Sequence, residues 1–119
     1  MENIVEVRPT GLPCGFYSAE FIGTEMAEHE EYGPGIRWKF RVIDNGEFQG
    51  FDVSKTTAAY ATAGNGTGRL LAAISGVGKI DPSLGKVDMR TYIGQVYRLN
   101  VLESPNGGTR IDSVQPTNF

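Results

Sequence analysis

The stretch from Gly35 to Val42 alternates apolar and basic side chains without a break, and it constrains the fold more than any other part of the chain. Successive side chains of a β-strand point to opposite faces of the sheet. The apolar side chains that this phase turns toward a core are Ile36, Trp38, Phe40 and Val42. The basic side chains of the opposite face are Arg37, Lys39 and Arg41. We therefore expect a sheet with one face in the core and one face that carries charge.

The length of 119 residues is that of a single domain, which can bury a core without disulfides. The 16 glycines are about twice the average share and indicate many tight turns. Because the first segment contains Pro9, Gly11 and Pro13, we expect an extended arm over residues 1–14. We expect residues 15–119 to form the folded domain.

The scarcity of cysteine and histidine limits the chemistry that this chain can perform. Cys14 is the single cysteine, so an internal disulfide is excluded. The single histidine, His29, lies between Glu28 and Glu30, and adjacent residues do not converge on one metal ion without an unusual loop. We therefore expect no enzymatic activity, no metal site and no cofactor. No apolar run approaches the roughly 18 residues of a membrane span, and no signal-peptide pattern is present, so we expect a cytoplasmic protein without membrane contact.

The charges are unevenly placed along the chain. The net charge is −3, but residues 35–110 contain ten bases and six acids, a difference of +4. Four of the remaining acids form a cluster, which we expect in a solvated loop over residues 25–34: Glu25, Glu28, Glu30 and Glu31. The body of the domain is therefore basic, which is compatible with a polyanionic partner.

The remaining periodicities predict a small all-β domain. We expect strands at residues 15–24, 35–43, 48–55, 95–103 and 109–114. The side chains that we expect to face the core are Tyr17, Ala19 and Phe21 in the first strand, and Phe51 and Val53 in the third. A helix is predicted at residues 68–74, with Thr67 as its N-cap and Gly76 after its end. One helical turn is predicted within residues 87–94, with Met89, Tyr92 and Ile93 facing the core. A tight reversal is expected at Asn45–Gly46, and a hairpin turn over residues 104–108.

The order of three strands, one helix and two strands resembles the OB-fold, a five-stranded Greek-key barrel with one short helix between strands 3 and 4. Within that fold the chain is most similar to the small single-stranded DNA-binding proteins of phages and bacteria. The segments that carry the resemblance are residues 15–20, 36–42, 69–74 and 92–99. The resemblance covers residues 15–115 and implies a ligand across the second and third strands. It places Arg37, Lys39, Arg41, Lys55 and Tyr60 nearest that ligand.

Together with Arg98, which points outward from the fourth strand, these residues form the expected binding site for single-stranded DNA or RNA. Cations on alternate residues can follow a phosphate backbone, and exposed aromatic rings can stack on bases. Tyr60 is the favoured stacking residue, Phe16 and Phe48 are weaker candidates, and Trp38 is assigned to the core by its phase.

Three alternatives remain open from the residues alone. The basic row could be a solvated face paired with Glu20 or Asp52. The loop from Gly64 to Arg69 resembles a phosphate-binding loop before a helix, but its spacing matches neither glycine-rich nucleotide motif, so a linker with a helix cap is favoured. The whole chain could also be a small β-barrel structural or protein-interaction protein, of phage origin, that forms homo-oligomers through its edge strands.

Overall fold

A computed structural model describes residues 3, 5, 12–31, 33–77, 80–81, 83, 85–105 and 108–117. These residues form one five-stranded antiparallel sheet and one α-helix, so the expectation of an all-β domain with a short helix is confirmed. The strands are β1 (Gly15–His29), β2 (Gly33–Val42), β3 (Asp52–Ala58), β4 (Val96–Glu103) and β5 (Thr109–Pro116). The helix α1 (Gly66–Ser75) and a 3₁₀ helix (Met89–Tyr92) lie between β3 and β4 in the chain.

The strand order in the sheet is β3-β2-β1-β4-β5, with every neighbouring pair antiparallel. The first strand is central because it pairs with β2 along one edge and with β4 along the other. The edge strands β3 and β5 approach each other, and the ammonium of Lys55 donates to the backbone carbonyl of Ile111 at 2.7 Å. We call the space between these two edges the seam; backbone pairing does not close it among the described residues.

The core lies on one face of the sheet and is covered by α1. Trp38, Phe40 and Phe21 are at most 2% exposed, which confirms the inward phase predicted for β2 and for the first strand. The buried polar atoms of the aromatic residues find partners. The Trp38 indole donates to Thr57 Oγ1 at 2.7 Å, and the Tyr97 hydroxyl donates to the Ile74 carbonyl at 2.6 Å. Such hydrogen bonds remove the cost of burying a polar group.

The first strand is longer than predicted. The expected loop over residues 25–34 is wrong, because β1 continues to His29 and pairs with β2 from Met26↔Ile36 to His29↔Gly33. Among the described residues, this end of β1 has no strand neighbour on the side away from β2, so polar side chains there can meet water, and pairing with β2 satisfies backbone groups of both strands. A bulge between Phe21 and Gly23 shifts the register of β1 in the middle of the strand.

The start of α1 also differs from the prediction. Asn65, not Thr67, is the N-cap, and its side-chain oxygen accepts from the Gly68 amide at 2.8 Å. Thr67 is instead buried, and its hydroxyl donates to the Ala58 carbonyl at 2.8 Å, which ties the helix to the end of β3. The predicted end is confirmed, because Gly76 adopts a left-handed conformation with φ of 78°.

The connection between β2 and β3 is wider than the predicted reversal at Asn45–Gly46. The third strand begins at Asp52 instead of residue 48, and Phe48 and Phe51 pack in a second apolar cluster around Leu12. The predicted helical turn is confirmed as a 3₁₀ helix, but Ile93 is 48% exposed and does not join the core.

Parts of the sequence prediction fall on segments that the structure does not describe. Most of the predicted arm and the centre of the 104–108 turn, Asn106 and Gly107, lie outside the described residues. Within the described residues, Leu12 is 3% exposed and the Tyr17 hydroxyl donates to the Pro13 carbonyl at 2.7 Å, so the end of the arm packs on the domain. No helix in the described part of the chain has the length and apolar character needed to cross a membrane.

Candidate nucleic-acid interface

The predicted basic row lies on the face of β2 that points away from the core, which we call the outer face. Arg37, Lys39 and Arg41 alternate with the buried Trp38 and Phe40, so strand geometry alone sets their direction. Their cross-strand partners on β3 are small or polar: Thr56, Ser54 and Asp52. A shallow groove of about 250 Å³ runs beside the row.

Acidic residues of the neighbouring strands pair with all three cations. Glu25, opposite Arg37 in the register of β1 and β2, lies 2.5 Å from Arg37 and 3.4 Å from Lys39. Asp52, opposite Arg41, lies 2.9 Å from it. The hydrogen bond from Arg37 and the charge of Lys39 hold the pKa of the Glu25 carboxyl below its usual value. The hydrogen bond to Asp52 raises the pKa of Arg41.

These pairs are open to water and can exchange partners. The side chains of Arg37, Lys39 and Arg41 keep 45%, 39% and 52% of their surface exposed. Exposed ion pairs contribute little net free energy because water and salt screen them. A phosphate can therefore replace Glu25 or Asp52 without exposing an uncompensated buried charge.

Arg98 shares the outer face with the basic row. It lies opposite Ser18 on β1, two residues from Glu20, which lies opposite Arg41. Its guanidinium stacks over the ring of Phe16, with the carbon 4.5 Å from the ring centroid. Phe16 is 59% exposed, and the ring and guanidinium lie beside a groove of about 410 Å³; we call this pair the Phe16–Arg98 platform.

Lys55 does not join the row. Its register partner on β2 is Trp38, so it points to the inner side of the sheet and reaches the seam. Burial first, and then the charge of Arg110, lower the pKa of Lys55. The predicted strand phase already contained this result, since Lys55 shares the parity of Val53, which had been assigned inward.

Tyr60 also lies away from the basic row. It follows the end of β3, is 82% exposed, and borders a groove with Ile36 and Trp38, whose side chains belong to the inner face. The structure thus brings together Arg37, Lys39, Arg41 and Arg98, and separates Lys55 and Tyr60 from them. Phe16 takes the place beside the cations that had been predicted for Tyr60. Phe16 alternates along β1 in the same phase as Ser18 and Glu20, so the sequence could have predicted that its side chain points outward.

Comparisons of the chain with protein-family models, with curated proteins and with solved structures returned no match.

Proposed function

We propose that the chain is an OB-fold module that binds single-stranded DNA on the outer face of its sheet. The strand order supports this fold, because β3 and β5 approach each other at the ends of the sheet, as in a partly open five-stranded barrel. The position of α1 after the third strand and its contacts with both edge strands also fit. The outer face of the second and third strands is the surface on which this fold binds oligonucleotides.

The observation that carries the function is the meeting of four cations and one exposed aromatic ring on this single face. The row on β2 offers positive charge at every second residue, a spacing that can follow successive phosphates. The Phe16–Arg98 platform offers a surface on which a base can stack regardless of its identity. Binding with little sequence preference follows from these two kinds of contact.

Glu25 and Asp52 set the strength of this binding in our proposal. Each phosphate must displace a carboxylate from the row, so affinity is modest at physiological salt. Because Glu25 contacts two cations of the row, it is the main competitor for the phosphate backbone.

The test is fluorescence anisotropy of a labelled oligothymidine, titrated with the protein at 50 mM and at 150 mM salt. We expect binding that weakens with salt, and that is lost when Arg37, Lys39 and Arg41 are all changed to alanine. A matched single comparison uses Lys39→Ala against Lys86→Ala, since Lys86 is exposed in the loop before the 3₁₀ helix, outside the row. Equal affinity of these two variants, with both folded, would contradict the proposal, as would absence of binding at 50 mM salt.

A second candidate function is protein interaction through a strand edge. β4 pairs with β1 only from Gly15 to Glu20, and the 3₁₀ helix contacts β1 beyond that point. Among the described residues, the second half of β1 therefore has one strand neighbour, β2. Met26 on this half is 72% exposed. An added strand from a second copy would satisfy this edge. Sedimentation velocity distinguishes the two: a dimer indifferent to oligothymidine favours the second function, and a monomer excludes self-association.

A further inference from the structure

Three cations from distant parts of the chain converge on one cavity at the seam. Lys55 comes from β3, Arg69 from the first turn of α1 and Arg110 from β5, and all three line a cavity of about 320 Å³. That volume corresponds to roughly ten water molecules, at about 30 Å³ each, which is room for a phosphate group and its hydration. The cavity lies on the other side of β3 from the basic row.

The charges in this cavity are unbalanced, in contrast with the outer face. Asp112 is the one carboxylate among the described residues that line it, and its contact with Arg110 is long, at 3.4 Å. The cavity therefore carries a net charge of about +2, since three cations face one acid. The first turn of α1, which has no acidic residue, adds the positive end of its dipole.

The three cations keep donors for a ligand. The Lys55 ammonium has three protons, and its bond to the Ile111 carbonyl uses one. Arg69 donates from one nitrogen to the Gly64 carbonyl at 2.9 Å, which holds the side chain across the helix start. A guanidinium has five donors in a planar fork that matches the oxygens of a phosphate.

Burial adds a penalty that an anion would relieve. Lys55 is half-buried, and both Arg110 and Arg69 lower its pKa by repulsion. Asp112 offsets part of this repulsion, but the cations outnumber the acid, and an excess of like charge is stabilised by a bound counterion. A polar cavity whose cations repel one another is thus organised for an anion.

We propose that the seam cavity is a phosphate-binding site formed by Lys55, Arg69 and Arg110, separate from the outer face. The phosphate is either a group of a nucleic-acid backbone or free inorganic phosphate. This site does not depend on the proposed function of the outer face, because none of its three cations belongs to that face.

The test is a ¹H–¹⁵N NMR titration of the whole chain with inorganic phosphate at constant ionic strength. We expect the largest shifts at the amides of Gly66, Arg69 and Ser113, which border the cavity. The double variant Arg69→Gln with Arg110→Gln should bind phosphate at least about tenfold more weakly, since each loses a charge-assisted hydrogen bond. Lys55 is left in place, because its bond to Ile111 joins the two edge strands.

Two controls separate this site from general attraction to positive charge. Arg90→Gln removes a cation held by Asp88 at 2.8 Å outside the cavity, and should leave the phosphate shifts unchanged. The alanine variant of the row, with Arg37, Lys39 and Arg41 replaced, should also retain them, even if oligothymidine binding is lost. Shifts that spread over the outer face, or that survive in the double seam variant, would overturn the proposal.

Oligothymidine then identifies the source of the phosphate. If the double seam variant binds oligothymidine more weakly than the native chain, the site holds a backbone phosphate. If it binds oligothymidine equally but has lost inorganic phosphate, the site serves a free phosphate. Both results support the site, and they assign different ligands to it.

Discussion

The basic row on the outer face and the seam each gather three cations but differ in what surrounds them. On the outer face, Arg37, Lys39 and Arg41 come from one strand, and the register of adjacent strands brings Glu25 and Asp52 beside them. At the seam, the cations come from β3, α1 and β5, and one acid faces them. Water and salt screen the ion pairs of the basic row, and these pairs can exchange partners. At the seam, the cations outnumber the acid in a partly buried cavity. A row of bases in a sequence therefore says less about anion binding than the acids that folding places beside it.

The largest expected effect comes from the start of α1, which positions the seam. A Cβ on Gly68 would overlap the backbone carbonyl of Thr62, so Gly68→Ala must displace the loop or the first helical turn. We expect a loss of about 3 kcal/mol in the free energy of unfolding, the upper end for overpacking, because the obstacle is backbone.

Urea unfolding measures this loss of stability in Gly68→Ala. In the same variant, the NMR shifts that phosphate causes at the seam should disappear. Gly66→Ala is the matched control, since its Cβ would meet only the flexible end of Arg69 at 3.8 Å. Equal stability of the two variants would show that the close approach at Gly68 does not hold the seam.

The Phe16–Arg98 platform is expected to produce the second-largest effect. Phe16→Ala removes the exposed ring, and stacking of a base on an aromatic ring is worth about 1–3 kcal/mol. The affinity for oligothymidine should fall by about 2 kcal/mol at constant salt, measured by anisotropy. Val77→Ala removes an apolar side chain that is 42% exposed after α1 and should have no effect. An unchanged affinity in Phe16→Ala would show that base stacking on Phe16 does not contribute to binding on the outer face.

A smaller effect of opposite sign is expected from Glu25. Glu25→Gln removes the carboxylate that pairs with two cations of the row, so it should strengthen oligothymidine binding roughly two- to fivefold. Glu47→Gln changes the net charge equally from the exposed turn before β3 and serves as the control. If both variants gain equally, the gain reflects net charge, and Glu25 does not compete with phosphate.

The smallest effect is the pH dependence that Lys55 gives to stability. The pKa of Lys55 in the folded chain is lower than its ordinary value of 10.5. At a pH between the folded-state pKa and the ordinary pKa, the unfolded chain therefore binds more protons than the folded one. The Lys55 contribution to stability therefore rises with pH across that window. Thermal unfolding of the native chain and of Lys55→Met from pH 7 upward should differ in slope, with the rise absent in the variant. Lys86→Met should keep the native slope.

The sequence predicted the sheet and its core well because alternation is a local property. The phase of β2 placed Trp38 in the core and the basic row outside without knowledge of any neighbour. The parity of β1 similarly turned Phe21 inward and Phe16 outward. In each case a period of two residues determines the face.

The N-cap of α1 was predicted incorrectly because two residues that can cap a helix lie within three positions of the chain. Asn65 and Thr67 both can cap a helix, and Thr67 is used instead to bond the end of β3. The seam was invisible for a different reason. Residues 55, 69 and 110 share no periodicity, and only the approach of β3 to β5 unites them.

The salt dependence of oligothymidine binding tests the central claim that the outer row follows a phosphate backbone. On a single strand, each phosphate contact contributes about −0.7 to the slope of log affinity against log salt. Three contacts from Arg37, Lys39 and Arg41 predict a slope of about −2 for the native chain, whereas binding by the triple alanine variant should be too weak to give a slope. A slope near zero for the native chain, or one that the triple variant leaves unchanged, would contradict the account.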